Sequence, residues 1–139
     1  MPKKKTVKKA RAALRSGKSP STAAGEFVRE EIQHIREGKH GARSPEQAIA
    51  IGLSKARRAG VPLKPPRKGQ VKKRTRQSAE RDYEVGQGKR KPQAPSKKRS
   101  MASTRRLKRE PKSTVSTRAL SRHAKRAVAS RGKRSTGNA

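Results

Sequence analysis

The stretch Ser44-Pro45-Glu46-Gln47-Ala48-Ile49-Ala50-Ile51-Gly52-Leu53-Ser54-Lys55-Ala56-Arg57-Arg58-Ala59-Gly60-Val61-Pro62 decides the fold, because it carries a full set of helix start and stop signals. The Ser44 hydroxyl suits an N-cap, where it accepts a free amide proton of the first turn. Pro45 falls at the first helical position, where its missing N–H is no loss. Gln47 stands three residues past the cap and completes a capping box towards the Ser44 backbone. Gly60 suits the left-handed position beyond the last turn, Val61 folds back towards Ala56, and Pro62 forbids continuation. At about 100° per residue, Ala48, Ile49, Gly52, Leu53, Ala56 and Ala59 share one face. Ser54, Arg57 and Arg58 take the opposite face, with Ile51 and Lys55 on the flank. The segment reads as a short amphipathic helix.

Upstream, Thr22 to Glu37 shows the same periodicity, with Ala24, Phe27, Val28, Ile32 and Ile35 on one face and Gly38 as the stop. Glu26, Glu30 and Glu37 gather on the other face, and Glu31 borders the apolar stripe. The short link Lys39-His40-Gly41-Ala42-Arg43 favours antiparallel packing. The two stripes then meet in a helical hairpin over residues 19–62, with Phe27, Val28, Ile32, Ile35, Ile49, Leu53 and Ala56 at the interface. Domains below about 40 residues usually need disulfides, metals or oligomerisation to fold. The chain has no cysteine, so a weak homodimer through residues 22–60 is expected, with Gly52 allowing close helix approach.

Outside the hairpin the composition changes. Of 139 residues, 27% are hydrophobic and 36% charged, with one Phe, one Tyr and no Trp. A chain so poor in large apolar side chains cannot offset ordering entropy along its whole length. The fold class expected is therefore mostly α with extensive disorder: a short hairpin between basic disordered tails, and a possible C-terminal helix. Residues 1–18 form a basic arm in which Val7, Ala10, Ala13 and Leu14 stand at near-helical spacing, enough for one or two turns ended by Gly17. Residues 63–115, with Pro65-Pro66, Pro92, Pro95 and Pro111, read as an extended Pro/Lys/Arg-rich linker. Glu80, Asp82 and Glu84 around Tyr83 read as a solvated acidic interruption with local charge pairs. Residues 116–132 form a basic helix with a narrow stripe of Leu120, Ala124, Ala127 and Val128, stopped by Gly132. Residues 133–139 are a loose end.

The charge is the strongest functional signal. The formal net charge is +32 and the pI about 12.0. Residues 20–61 hold seven Lys or Arg against five Glu, a net +2, so +30 lies in the flanks. Charge of that size collects polyanions, and nucleic acid is the default partner. No apolar span and no Trp/Phe-rich face supports a membrane, and no leader-like apolar run follows the basic start. The residues expected at phosphates are Lys3, Lys4, Lys5, Lys8, Lys9 and Arg11 in the arm, and Lys72, Lys73, Arg74, Lys97, Lys98, Arg99, Arg105 and Arg106 in the linker. Arg118, Arg122, Lys125 and Arg126 join them on the last helix. Each Lys or Arg that meets a phosphate releases counterions and reads no sequence.

No catalytic set is visible. Gly86-Gln87-Gly88-Lys89 lacks the upstream strand and spacing of a phosphate loop. His34, His40 and His123 show no metal-binding spacing with carboxylates, and Glu30 and His34, four apart on one helix, read as a surface charge pair. No enzyme, cofactor or metal is expected.

Glu26-Phe27-Val28-Arg29-Glu30-Glu31, Lys39-His40-Gly41-Ala42-Arg43-Ser44 and Gln47 to Gly60 together resemble a family of small, highly basic bacterial proteins of unknown function, commonly labelled DNA-binding. Leu107-Lys108-Arg109-Glu110 and Ala119 to Ala127 resemble its C-terminal part. The lysine-rich flanks also resemble bacterial histone-like proteins in composition. The resemblance implies a bacterial origin and a DNA-binding role at the nucleoid, in the cytoplasm. Together with the charge it leads to one expectation: a non-enzymatic, sequence-tolerant binder of duplex DNA. An RNA-binding or ribosome-associated protein, or an adaptor docking through residues 19–62, are the alternatives.

Overall fold

The computed structural model describes residues 3–94 and 96–137, with side chains followed to residue 131. The chain is mostly helical: α1 (Lys4–Arg15), α2 (Pro20–Arg36), α3 (Pro45–Arg58), α4 (Lys73–Gly86), α5 (Lys97–Arg109) and α6 (Thr117–Gly137), with a 3-10 turn at Ser113–Val115. Among the described residues the sole β pairing is an isolated bridge between Lys68 and Val71.

The punctuation of α3 acts where the sequence puts it. The Ser44 hydroxyl accepts the Gln47 N–H at 3.2 Å, and Pro45 opens the helix. The far end closes in a Schellman motif: Val61 N–H reaches the Ala56 carbonyl and Gly60 N–H the Arg57 carbonyl, both at 3.1 Å. Gly60 takes φ +103°, a conformation that suits glycine. One detail differs. The Gln47 side chain accepts from the Arg43 N–H and not from Ser44, so the box closes one residue upstream. α2 begins earlier than its periodicity predicts, because Ser19 caps it through the Thr22 N–H and Pro20 occupies the first turn.

α2 and α3 form the expected hairpin, and they approach closely. A Cβ built on Gly52 would stand 2.6 Å from the Val28 Cα. The core divides into two clusters along this crossing. Phe27, Ala23, Ala24, Ala56, Val61 and Ala10 make the first, with Leu53, Val7, Leu14 and Leu63 against it. Ile35, Ala42, Ala48 and Val115 make the second, with Ile32 beside them. Of the expected interface residues, Phe27, Ile35 and Ala56 are fully buried, whereas Val28, Ile32, Ile49 and Leu53 are half-buried.

Three sequence expectations need correction. The N-terminal arm is a 12-residue helix, α1, docked on α2 with Ala10 buried. Docking lets Val7, Ala10, Ala13 and Leu14 pack in the cluster around Phe27, and the Lys3 N–H, ahead of the first turn, donates to Glu30 Oε1 at 2.9 Å. That contact buries Glu30, which the periodicity had put on a solvated face. Second, residues 63–115 contain α4 and α5. Asp82 clamps α4 to α3, accepting from the Ser54 hydroxyl at 2.7 Å and pairing with Arg58 at 3.2 Å. α4 ends with Gly86 against the Arg57 carbonyl, closer than any side chain would permit. α5 buries none of its residues; its last turn is tied by the Leu107 carbonyl, which accepts the Gly41 N–H at 2.8 Å. Third, α6 does not stop at Gly132 but continues to Gly137, while residues 138–139 of the expected loose end lie outside the described residues.

Val115 anchors the C-terminal part. It is fully buried, and its carbonyl accepts both Arg36 Nε and Nη2 at 3.2 Å. The Thr114 hydroxyl donates to the Ala42 carbonyl at 2.9 Å. Beyond this anchor the α6 stripe meets little: Leu120 and Ala127 are half-buried, but Val128 is 60% exposed. Within one chain, α1, α4 and the 3-10 turn cover part of the hairpin stripes that motivated a homodimer, while Val28, Ile32, Ile49 and Leu53 stay half-buried.

The helix crossing makes a sharp prediction. Gly52→Ala should cost about 1–3 kcal/mol, as overpacking of a tight contact does. Gly25→Ala, in the exposed part of α2 with nothing within 4 Å of its Cβ, should instead stabilise by about 0.5–1 kcal/mol. Urea unfolding of the two variants beside the parent checks the pair. In the same protein, amide exchange should be fast throughout α5 and slowest in α2 and α3, since a lone helix of this length is marginal in water.

Candidate nucleic-acid interface

The cations expected at phosphates are all exposed: Lys3, Lys4, Lys5, Lys8, Lys9, Arg11, Lys72, Lys73, Arg74, Lys97, Lys98, Arg99, Arg105, Arg106, Arg118, Arg122, Lys125 and Arg126. They stand on helices and helix starts more than on extended tails, and folding sorts them into groups.

The first group is a ridge on α1. Because Val7, Ala10, Ala13 and Leu14 turn inwards, Lys4, Lys8, Arg11 and Arg15 fall in one row at spacings of four, three and four. At 1.5 Å per residue the row is about 16 Å long, with steps of about 5–6 Å between neighbours, close to the span of adjacent backbone phosphates. Lys5 and Lys9 flank it. No acidic residue occurs in α1. Lys4 and Lys5 sit at the helix N-terminus, where the macrodipole disfavours cations; an anion placed there relieves both.

The second group surrounds a cleft of about 590 Å³ between α6, the 3-10 turn and the start of α3, lined by Arg122, Lys125, Arg126, Ser113, Thr114 and Pro45. Glu46 borders it, 3.0 Å from His123 Nδ1 and 4.0 Å from Arg126. A backbone N–H in the first turn of α3 is the main reason the Glu46 carboxyl sits below the usual range. Arg118 lies at the start of α6, outside this lining. Lys72, Lys73 and Arg74 open α4, and Lys97, Lys98 and Arg99 open α5, with Arg105 and Arg106 further along it. The structure does not bring the α4 and α5 groups into the ridge or the cleft.

The acids serve the fold. Among the described residues seven of the nine carboxylates are in ion pairs: Glu30, Glu31, Glu37, Glu46, Glu80, Asp82 and Glu84. Only Lys39, Lys55, Arg58, Arg76, Arg90 and Arg126 are the Lys or Arg partners there. With 41 Lys and Arg in the chain, the surface keeps a large excess of cations without an acidic neighbour. In the acidic interruption around Tyr83, Glu80 and Glu84 form the expected local pairs with Arg76 and Arg90, whereas Asp82 is a tertiary clamp and Tyr83 is half-buried in α4.

Two groups of residues do more than their sequence pattern shows. Arg57, placed by periodicity on the solvent side of α3, is buried. Its Nε donates to the Leu63 carbonyl at 3.1 Å and its Nη2 to that of Lys64 at 3.4 Å, which pins the chain leaving α3. Burial pushes this guanidinium below the ordinary arginine range, partly offset by Asp82. The second group is Glu31, His34 and His40, whose ligand atoms lie within 4.8 Å of one another. Sequence spacing missed it because His40 comes from the loop after α2. In the Glu30–His34 pair, 3.6 Å apart, Glu30 is buried and His34 half-buried, so it is not the exposed surface pair that the spacing suggests.

Among the described residues no helix is long and apolar enough to cross a membrane. No family model, no curated protein and no solved structure matches the chain.

Proposed function

We propose that the protein is a non-enzymatic, largely sequence-independent DNA-binding protein that acts through Lys/Arg–phosphate contacts, in the cytoplasm at the nucleoid. The observation that carries this reading is the acid-free row Lys4, Lys8, Arg11 and Arg15 on a docked helix, within a surface where most cations lack a carboxylate partner. A row of fixed charges at phosphate-like steps binds a backbone and reads no bases, since phosphate contacts position but do not specify. With one Tyr and one Phe in the chain, stacking on unpaired bases is poorly equipped, which favours duplex over single strands. The remaining basic groups on α4, α5 and α6 extend the contact along or between duplexes.

Binding of unrelated duplexes of equal length should be equal within a few-fold and steeply salt-dependent. With about eight phosphates engaged, log K should fall against log salt with a slope of about −7. Fluorescence anisotropy across a salt series measures both. A shallow slope, clear preference for one duplex, or tighter binding to structured RNA at the same salt would each overturn the proposal.

The ridge has its own test. Replacing Lys4, Lys8, Arg11 and Arg15 together by Gln should make that slope shallower by about 3 to 4, with helicity retained because none of the four is buried. An unchanged slope would show that α1 docks for the core alone.

A further inference from the structure

We propose that Glu31, His34 and His40 bind a divalent metal ion of the zinc class as its three protein ligands. The three side chains come from α2 and from the loop that follows it. Their ligand atoms already lie within 4.8 Å of one another. Tetrahedral zinc holds its ligands about 3.3 Å apart, so closure needs side-chain movements on the order of 1 Å.

The hydrogen-bond geometry of His40 is the decisive observation. Its Nδ1 lies 2.9 Å from the Gly41 carbonyl oxygen, and its Nε2 lies 2.8 Å from Glu31 Oε1. Both neighbours are acceptors, so a proton on Nδ1 leaves Nε2 and a carboxylate oxygen facing each other. A metal ion between Nε2 and that oxygen satisfies both. Donation of Nδ1–H to a backbone carbonyl is also the outer-shell arrangement that orients a metal-bound imidazole through Nε2. Gly41 is itself held, because its N–H donates to the Leu107 carbonyl at 2.8 Å.

A second, independent observation points the same way. Among the described residues, Glu30 Oε2 is the one buried side-chain oxygen with no hydrogen-bond partner in the protein. The Glu30 side chain is 7% exposed, and its Oε1 stands 3.6 Å from His34 Nε2, too far for a hydrogen bond. A buried carboxylate oxygen without a partner costs free energy that a cation recovers. Lys55 Nζ sits 2.6 Å from Glu31 Oε2 and leaves the other oxygen for the ion. Two imidazoles and carboxylate oxygens select zinc over magnesium or calcium.

The test uses the full chain, freed of nucleic acid and treated with a chelator, then titrated with Co²⁺ and Zn²⁺. One equivalent of Co²⁺ should produce the visible absorption of a four-coordinate site, and Zn²⁺ should displace it. His34→Gln should weaken binding by more than about tenfold, the loss that even an outer-shell change produces. Lys55→Gln should tighten it by removing a competing cation. His123→Gln should change nothing, although it removes the other His–carboxylate pair. Absence of saturable binding, or equal binding by His34→Gln, overturns the proposal. Should His34→Gln fail to fold, the imidazole proton resonances of the parent decide: His34 and His40 should shift with Zn²⁺ while His123 does not, and any other pattern overturns the site.

Discussion

The contact of Gly52 with the Val28 backbone is the constraint on which the rest of the structure rests. A chain with one Phe cannot fill a wide space between helices, so it closes the space. With the backbones this near, Ala23, Ala24, Ala48 and Ala56 make a dense interior out of methyl groups. Close packing of small groups recovers through many short contacts what large side chains supply through area. The economy has a limit, since two helices of this kind still leave their stripes partly open. Phe27 is sealed by α1 and the second cluster by Val115, which lies 80 residues after Ile35 in the sequence. The hairpin is therefore the centre of a fold that recruits both ends of the chain.

How much of this was legible follows from the kind of interaction at each place. α3 was readable to the residue, because caps and stop signals are local chemistry: Ser44, Pro45, Gly60 and Val61 act on atoms within five positions of themselves. α2 was readable from its 3.6-residue period. α1 carried the same period in Val7, Ala10, Ala13 and Leu14, but propensity and repulsion among its lysines argue for a solvated arm, and only the partner surface on α2 reverses that balance. α4 was invisible for a different reason. Its attachment runs through Asp82 to Ser54 and Arg58, polar contacts across 24 to 28 positions that leave no periodic trace. Val115 is a single apolar residue in a basic stretch, and no pattern marks it as core. The Glu31, His34 and His40 group combines a helical spacing with a loop residue, so it exists only once the loop is placed.

Charge is divided by task. The carboxylates concentrate where elements meet: Glu30 at the start of α1, Glu31 between α2 and α3, Asp82 between α3 and α4, Glu46 between α3 and α6. The Glu31 and Asp82 pairs are partly buried and are screened less by salt than exposed ones. The surplus cations stay on outer faces, where repulsion between them is screened and any phosphate relieves it. A protein of such net charge can fold because four of its acids sit between elements and most of its bases lie on outer faces.

The buried Arg57 draws a line through the cationic inventory. On the outer faces the requirement is for positive charge at a position, and lysine and arginine meet it interchangeably in a Coulombic contact. At Arg57 two carbonyl oxygens are held by one planar fork, which an ammonium group cannot reproduce. Two selective regimes therefore coexist in one residue type. The surface is free to drift between lysine and arginine so long as its sum is kept, while the arginine under α4 is bound to its identity by shape.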